Sequence, residues 1–431
     1  MDKFVIFMLA LMTYTGVSVG TIGKALLTPL HLVMGILMGY IIAFAPKARY
    51  HLPMTLLMLV GYIVFTNLFI YPEARITSVI YTFLFSFEYI IMYHLMMSVK
   101  QETIIKALQF IIYSYMVNIL LGFAFSLVHQ NPLDGIVNIS YSANGEGARP
   151  NGFSTEPSYA AFIVSISYMG YNHLRGHRVD RPFWQLTAAY LVCILFMKSA
   201  YGFIFVAVNG MDWFFIIFKK LRFNIKIIFL VFGIGMAAVI PMALQDSEQE
   251  AIVRLRNVAT VMNDNSVDIK KKLSKLQEVD GSAYARIGPT YLLFNARDEI
   301  QIDMTLGAGA GAAGNFFKKF MAGVMVDDDA DKLDMGIVPA FVFDYGYVGT
   351  VLLILFVLAS AYNLPLPFWA CFFLVLPNCN INTQLFWYGL VLYSYISVFR
   401  AGRLPEQLEA AMAPPPPPPS EYPSPLSPEQ S

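Results

Sequence analysis

Charged side chains are scarce in this chain: Asp, Glu, Lys and Arg make up 13% of its 431 residues, against 57% that are apolar. That is too little polar surface to clothe a soluble body of this size, so a bilayer must be the main solvent. Net charge is lacking as well, because 29 basic residues balance 29 acidic ones. The balance removes the electrostatic argument for a nucleic-acid partner. Cysteine is rare: Cys193, Cys371 and Cys379 have no metal-type spacing, and the first two fall inside apolar runs, which argues against a disulfide framework. No repeat recurs at a fixed period, and no matched pair of broken apolar helices marks a transporter built from inverted repeats. No histidine follows His177.

What is present is a series of apolar runs, most of them near the length of about 17 to 25 residues that crosses roughly 30 Å of hydrocarbon. They lie near 3–20, 26–45, 53–71, 76–97 and 103–128, then at 158–172, 183–197, 199–218 and 227–244, and last at 337–361, 367–380 and 384–400. The expected fold class is therefore an all-α polytopic membrane protein with about twelve transmembrane helices. The run behind Lys3 has the look of a signal peptide, but no small-residue cleavage site follows and the next run comes at once, so it reads as the first span. With the N-terminus inside, Lys3, Lys47, Arg49, Lys100, Lys106, Arg175, Arg178, Arg181, Lys219, Lys220, Arg222, Lys226, Arg400 and Arg403 fall in short cytoplasmic segments, and only Lys24, Arg75, Arg149 and Lys198 fall in short outer ones. This bias places both termini in the cytoplasm.

The expected organisation is N-terminal membrane helices over 1–128, a first outer loop at 129–157, central membrane helices over 158–244, a large outer loop at 245–336, C-terminal membrane helices over 337–400 and a tail over 401–431. The tail contains the run Pro414–Pro419; it cannot bury a core and reads as an extended, solvated cytoplasmic segment.

The candidate chemistry lies in the two outer loops. The first ends in Arg149-Pro150-Asn151-Gly152-Phe153-Ser154-Thr155-Glu156-Pro157-Ser158, directly before the sixth apolar run. Pro157 suits the first position of a helix, and Thr155 or Glu156 suits its cap. Helix amides and dipole favour an anion there, and Arg149 supplies a second positive element. Two plainer roles stay open, Arg149 as a headgroup anchor and Glu156 as a cap and no more.

In the large loop, Ile252, Leu255, Ala259 and Met262 share one helical face, and Ile269, Leu273 and Leu276 share another. The loop is thus partly helical. Beyond Tyr284, Arg286 and Arg297 share a face about three turns apart if the helix survives Pro289; such a pair can flank a diphosphate or serve as surface ion-pair formers. Gly307 and Gly309 belong to a glycine alternation that permits close backbone approach. Asp344 sits within the apolar run 337–361, where a carboxylate costs about 2.5–3.5 kcal/mol at full depth unless it faces protein or water, so it is a functional candidate by default. Glu88, His94, Lys198 and Asp212 are further ionisable residues in apolar runs, of a kind that more often lock helices than conduct ions. Lys198 with Ser199 is expected at the outer mouth of a pocket. His173 and His177 have metal-ligand spacing, but they share a turn with Arg175 and Arg178 and read as solvated charge. Asp327-Asp328-Asp329 reads as a solvated acidic turn.

The run Arg149-Pro-Asn-Gly-Phe-Ser-Thr-Glu156-Pro-Ser158, Arg286 in the later loop, Leu306-Gly-Ala-Gly309 and Asp344-Tyr-Gly-Tyr-Val-Gly349 together resemble the Wzy-type polysaccharide polymerases of the O-antigen polymerase and ligase superfamily. The resemblance covers the order of features over most of 1–400, and its most specific part is the Arg-x-x-Gly-Phe-x-x-Glu-Pro-Ser run; the proline tail has no counterpart in it.

The resemblance implies a GT-C-like helical fold acting on undecaprenyl-diphosphate-linked oligosaccharides at the periplasmic face of the bacterial inner membrane. It implies no metal, cofactor or nucleotide sugar, and partners such as a flippase and a chain-length regulator. Arg149, Arg286 and Arg297 are then the candidates for gripping the diphosphate, and Glu156 or Asp344 for taking the acceptor proton. Pro157, Ser158, Lys198, Tyr284, Gly307 and Gly309 are the expected pocket lining. Related ligases have a histidine beyond the large loop; its absence here favours polymerase over ligase, with a lipid-linked oligosaccharide flippase or transporter as the reading from another class.

Overall fold

A computed structural model describes residues 1–22, 25–44, 53–71, 76–141, 148–220, 250–264, 266–296, 303–323, 336–376 and 383–402, together with Cys379 and Ile381. The described chain is mostly helical. In order come α1 (Asp2–Thr13), α2 (Pro29–Phe44), α3 (Met54–Phe65) continued by a π-helical turn (Thr66–Ile70), α4 (Ile76–Met97), α5 (Gln101–Leu127), α6 (Pro157–Leu174), α7 (Arg181–Met197) and α8 (Ala200–Lys220). The large loop carries α9 (Glu250–Asn263), α10 (Ile269–Val279), α11 (Gly281–Asn295) and α12 (Ala312–Met321), and the chain returns to the bundle in α13 (Ile337–Ala361), α14 (Leu366–Val375) and α15 (Gln384–Arg400). Two antiparallel hairpins interrupt the helices: β1 (Gly20–Ile22) with β2 (Ala25–Leu27), and β3 (Asn138–Tyr141) with β4 (Ala148–Gly152).

Helices occupy every apolar run whose residues are described, but four of them are long and apolar enough to cross a membrane by themselves: Ile76–Met97, Gln101–Leu127, Tyr201–Phe218 and Ala340–Ala361. This is fewer than the expected dozen, and the run 227–244 lies outside the described residues. The first run shows one physical cause. Its helix stops at Thr13, and the next residues turn away because the Gly16 N–H donates to the Phe153 carbonyl at 2.7 Å.

A second cause is central position. Helix α6 packs against α5, α7, α8, α14 and α15, and nearly all its residues are buried. A helix touched by protein on every side needs no lipid-facing apolar stripe. It can therefore carry Ser165 and Ser167, which meet the hydroxyls of Tyr190 (3.2 Å) and Tyr388 (2.6 Å). Outward-facing positions on α3, α4, α5, α7 and α13 instead expose large apolar side chains, among them Leu57, Phe83, Phe110, Leu195 and Leu358. An apolar perimeter of this kind suits lipid.

The turn between α6 and α7 is fixed by charge. The Asp180 carboxylate accepts the Phe183 N–H at 3.0 Å as the N-cap of α7. The paired Arg175 guanidinium first, and that N–H second, hold its carboxyl down to about 2. The contribution of this depressed carboxyl is complete above its unfolded value and fades only as pH falls toward 2.

The large loop is a folded body with its own core. Val258, Leu273, Leu276, Tyr284, Leu292, Phe317 and Phe320 are buried together, closed from the bundle side by Ala340 and Phe343 at the start of α13. Leu273 and Leu276 occupy the face expected from their spacing. On α9 Met262 packs on this core as expected, while Ala259 is exposed and Val258 and Val261 face α10 in its place; the side chains of Ile252 and Leu255 lie outside the described ones.

Candidate functional site

The site is built by the segment that precedes α6. Gly152 ends β4 at φ +62, and a Cβ on it would lie 2.7 Å from the Tyr115 ring, so only glycine lets the hairpin lie on α5 here. The Tyr115 hydroxyl gives its proton to the Thr13 carbonyl (2.6 Å) and accepts from Ser154 (2.8 Å). Phe153 stacks on Tyr14 with ring centroids 4.1 Å apart. Asn151 donates to Ser140 Oγ (2.7 Å) and to the Thr155 carbonyl (3.0 Å). Arg149 stands opposite Ser140 in the hairpin, half-buried. The uncharged residues of the motif are thus anchors, and what they aim is Glu156.

Glu156 is the N-cap residue of α6 in extended conformation, and Pro157 occupies the first helical position as expected. Its carboxylate makes no cap hydrogen bond with the helix amides. It accepts instead from Ser158 Oγ at 3.0 Å and faces Arg286 Nη2 at 3.8 Å. Arg286 comes from α11, which continues through Pro289 to Asn295. Its Nη2 also donates to Ser158 Oγ at 3.3 Å, and the guanidinium carbon lies 4.7 Å from the centre of the Tyr201 ring at the start of α8. Three elements distant in sequence therefore converge: the first turn of α6, the first turn of α8 and the loop helix α11. The Glu156 and Arg286 side chains are 37% and 20% exposed, so a ligand can reach both.

A guanidinium stacked on an aromatic face, with its edge toward a hydroxyl and a carboxylate, is suited to planar bidentate binding of phosphate. A carboxylate beside it, with its hydroxyl neighbour already donating, is suited to orient or accept a proton. Tyr201 carries no sequence signal that separates it from other aromatics in an apolar run; only its place at the start of α8 shows its use.

Asp344 stands in a different arrangement. Its two carboxylate oxygens accept the N–H groups of Gly311 and Ala313, both at 2.9 Å, at the start of α12. At the same level α13 carries Gly346 at φ +65, and the glycine stretch lies against it main chain to main chain. Ala308 and Gly309 donate to the Phe343 and Asp344 carbonyls, while Tyr347 donates back to Met304 at 2.8 Å. A Cβ on Gly346 would fall 2.4 Å from the Thr305 carbonyl oxygen, and one on Gly307 would fall 2.4 Å from that of Asp344. Tyr62, Asn67 and Tyr71 hold the other side, with Tyr71 donating to the Gly307 carbonyl at 2.6 Å. Gly307, Gly309 and Asp344 thus form a clamp between loop and bundle.

The remaining expected residues are dispersed. Tyr284 is wholly buried in the core of the loop body. Lys198 is the exposed, left-handed end of α7 at φ +49. Arg297 and the acidic turn 327–329 lie outside the described residues.

The reading of His173 as solvated is corrected. The ring is buried, with Nε2 3.0 Å from both Asp212 oxygens, tying α6 to α8. His173, His177 and Asp212 bring one ligand atom each within 4.8 Å of one another, a group able to approach a metal ion. The Arg400 guanidinium 3.5 Å from His173 Nδ1 places a fixed positive charge beside it, which favours a helix lock over a cation site. In comparisons with protein-family models, curated proteins and solved structures, nothing matches this chain.

Proposed function

We propose that this chain polymerises undecaprenyl-diphosphate-linked oligosaccharide repeats into a bacterial surface or secreted polysaccharide at the periplasmic face of the inner membrane. The observation that carries the reading is the meeting of Arg286, from the large loop, with Glu156 and Ser158 at the start of α6. The motif resemblance names those same residues. The proposal includes a GT-C-like bundle of about twelve spans, with both termini cytoplasmic and the loop body outside.

In the reaction, the bond between the anomeric carbon of the growing chain and the diphosphate oxygen breaks, and its electron pair leaves with the diphosphate. Arg286, with Arg149 and Arg297, stabilises the charge that accumulates there, the situation in which preplaced cations contribute most. An acceptor hydroxyl of the incoming repeat bonds to that carbon, and its proton passes to Glu156.

The test is complementation of a polymerase-deficient strain with Arg286→Ala, Arg149→Ala and Glu156→Gln at matched expression, with polymer length read on gels. Short, unpolymerised repeats are expected. Normal long polymer from all three variants removes the assigned site, and glycan found on a foreign acceptor in place of lengthened lipid-linked chains assigns a ligase.

A further inference from the structure

The loop body turns two kinds of face outward. On α10 the exposed positions include Lys271, Lys275 and Glu278, a charged face suited to water. On α11, Ala283, Arg286, Ile287, Thr290 and Phe294 share the face opposite the buried Tyr284, Leu292 and Ala296. Arg286 is the single charge on that face. Ile287 is 37% exposed and Phe294, two turns further on, 75%. Among the loop residues whose side chains are described, the other large apolar one left exposed is Val279, at the end of α10 and just before α11.

The position of α11 says what meets this stripe. Arg286 lies over the ring of Tyr201, the first residue of the membrane-length stretch Tyr201–Phe218. The buried face of α11 shares one core with Ala340 and Phe343, and Ala340 is the first residue of the membrane-length stretch Ala340–Ala361. Helix α11 thus meets the starts of two spans, at the level where hydrocarbon gives way to headgroups. Phe203 and Ile204, next along α8, are exposed, so the apolar perimeter of the bundle begins beside the ring on which Arg286 stacks. The stripe on α11 continues that perimeter, and the boundary between headgroups and acyl chains is where amphipathic helices bury such side chains.

We propose that α11 is a membrane-surface helix. Ile287 and Phe294 enter the headgroup and acyl boundary of the lipid layer beside the start of α8, and this contact holds the loop body, with Arg286, at headgroup level. The occupant of the stripe is phospholipid; open water and a second copy of this chain are the outcomes that overturn the proposal. The contact goes beyond the polymerase reading, since it concerns where α11 lies and not what reacts there.

The test uses the full chain in vesicles of phosphatidylethanolamine and phosphatidylglycerol. Cys193, Cys371 and Cys379 are buried, so a thiol-reactive fluorophore reports on single sites made by Phe294→Cys and Ile287→Cys, with Lys271→Cys and Lys275→Cys as water-facing controls. A nitroxide high on the lipid acyl chain should quench the labels on α11 about twofold more than those on α10, and aqueous iodide should quench in the reverse order. A second arm needs no label: lipids with a diazirine at the same depth, photolysed with the parent protein, should leave adducts on the segment 287–294, fewer in Phe294→Asp. Where labels and photolysis disagree, the adducts decide. Labels on α11 as open to iodide as those on α10, without adducts, place the helix in water and overturn the proposal. Protection from both quenchers, without adducts, puts a second copy on the stripe and overturns it too. Lipid adducts alongside normal polymer from Arg286→Ala sink the polymerase reading alone; an α11 in water alongside unpolymerised repeats from Arg286→Ala sinks the lipid contact alone.

Discussion

Two carboxylates that the sequence offers for the same proton, Glu156 and Asp344, both meet a helix start in the folded chain and use it differently. Asp344 spends both oxygens on the amides of Gly311 and Ala313, the ordinary satisfaction of a helix start. Glu156 occupies the cap position of α6 yet turns one oxygen, Oε2, toward both Ser158 and Arg286. One group holds a loop to a bundle; the other forgoes the local bond and meets a charge from a distant segment. Both are candidates for the same proton in the sequence, and the identity of the hydrogen-bond donors separates them.

The largest effect should come from the clamp itself. Gly346→Ala forces a side chain into a left-handed position and onto the Thr305 carbonyl 2.4 Å away, so a loss above about 4 kcal/mol is expected. Gly176→Ala is the matching control, since it is also left-handed at φ +60 but has open space around it; about 1 kcal/mol is expected there. Thermal unfolding of the two variants in detergent separates contact from backbone strain, and equal losses would remove the clamp as the cause.

The isosteric pair Glu156→Gln and Asp344→Asn tests the comparison directly. Asp344→Asn replaces one accepting oxygen by an NH2 group facing a backbone N–H, for a loss of about 1–3 kcal/mol. It should speed hydrogen exchange over 303–313, where Ala308, Gly309 and Gly311 donate to the Phe343–Asp344 segment. Glu156→Gln should leave melting and exchange unchanged and still abolish long polymer. If the two variants exchange phenotypes, the functional assignment belongs to Asp344.

Much of this frame was legible in the sequence. The start of α6 was marked by Pro157, whose missing N–H suits the first helical position, and the bounds of the apolar runs 76–97, 337–361 and 384–400 coincide with helices α4, α13 and α15. The left-handed backbone at Gly346 was not, because it exists only where a glycine stretch some forty residues earlier lies against it, a pairing that no local period encodes. His173 was misjudged for a similar reason: its neighbours Arg175 and Arg178 suggest solvent, while its partner Asp212 lies on another helix.

The smallest effect sharpens the comparison most. Ser158 Oγ accepts from Arg286 and donates to Glu156, bridging a pair that stands 3.8 Å apart. Removing it in Ser158→Ala leaves both charges half-solvated and free to approach, so the loss should be near 1 kcal/mol, about fivefold in polymerisation rate. If the hydroxyl acts through that bridge, Ser158→Ala adds little once Glu156 is already Gln, and the residual rate of joining two repeats, measured in all four variants, shows a coupling of about 0.5–1 kcal/mol. Strict additivity means Ser158 contributes independently of the pair. The Asp344 clamp predicts the opposite behaviour, because its carboxylate meets backbone amides, and no side-chain deletion at α12 can mimic the loss of Asp344.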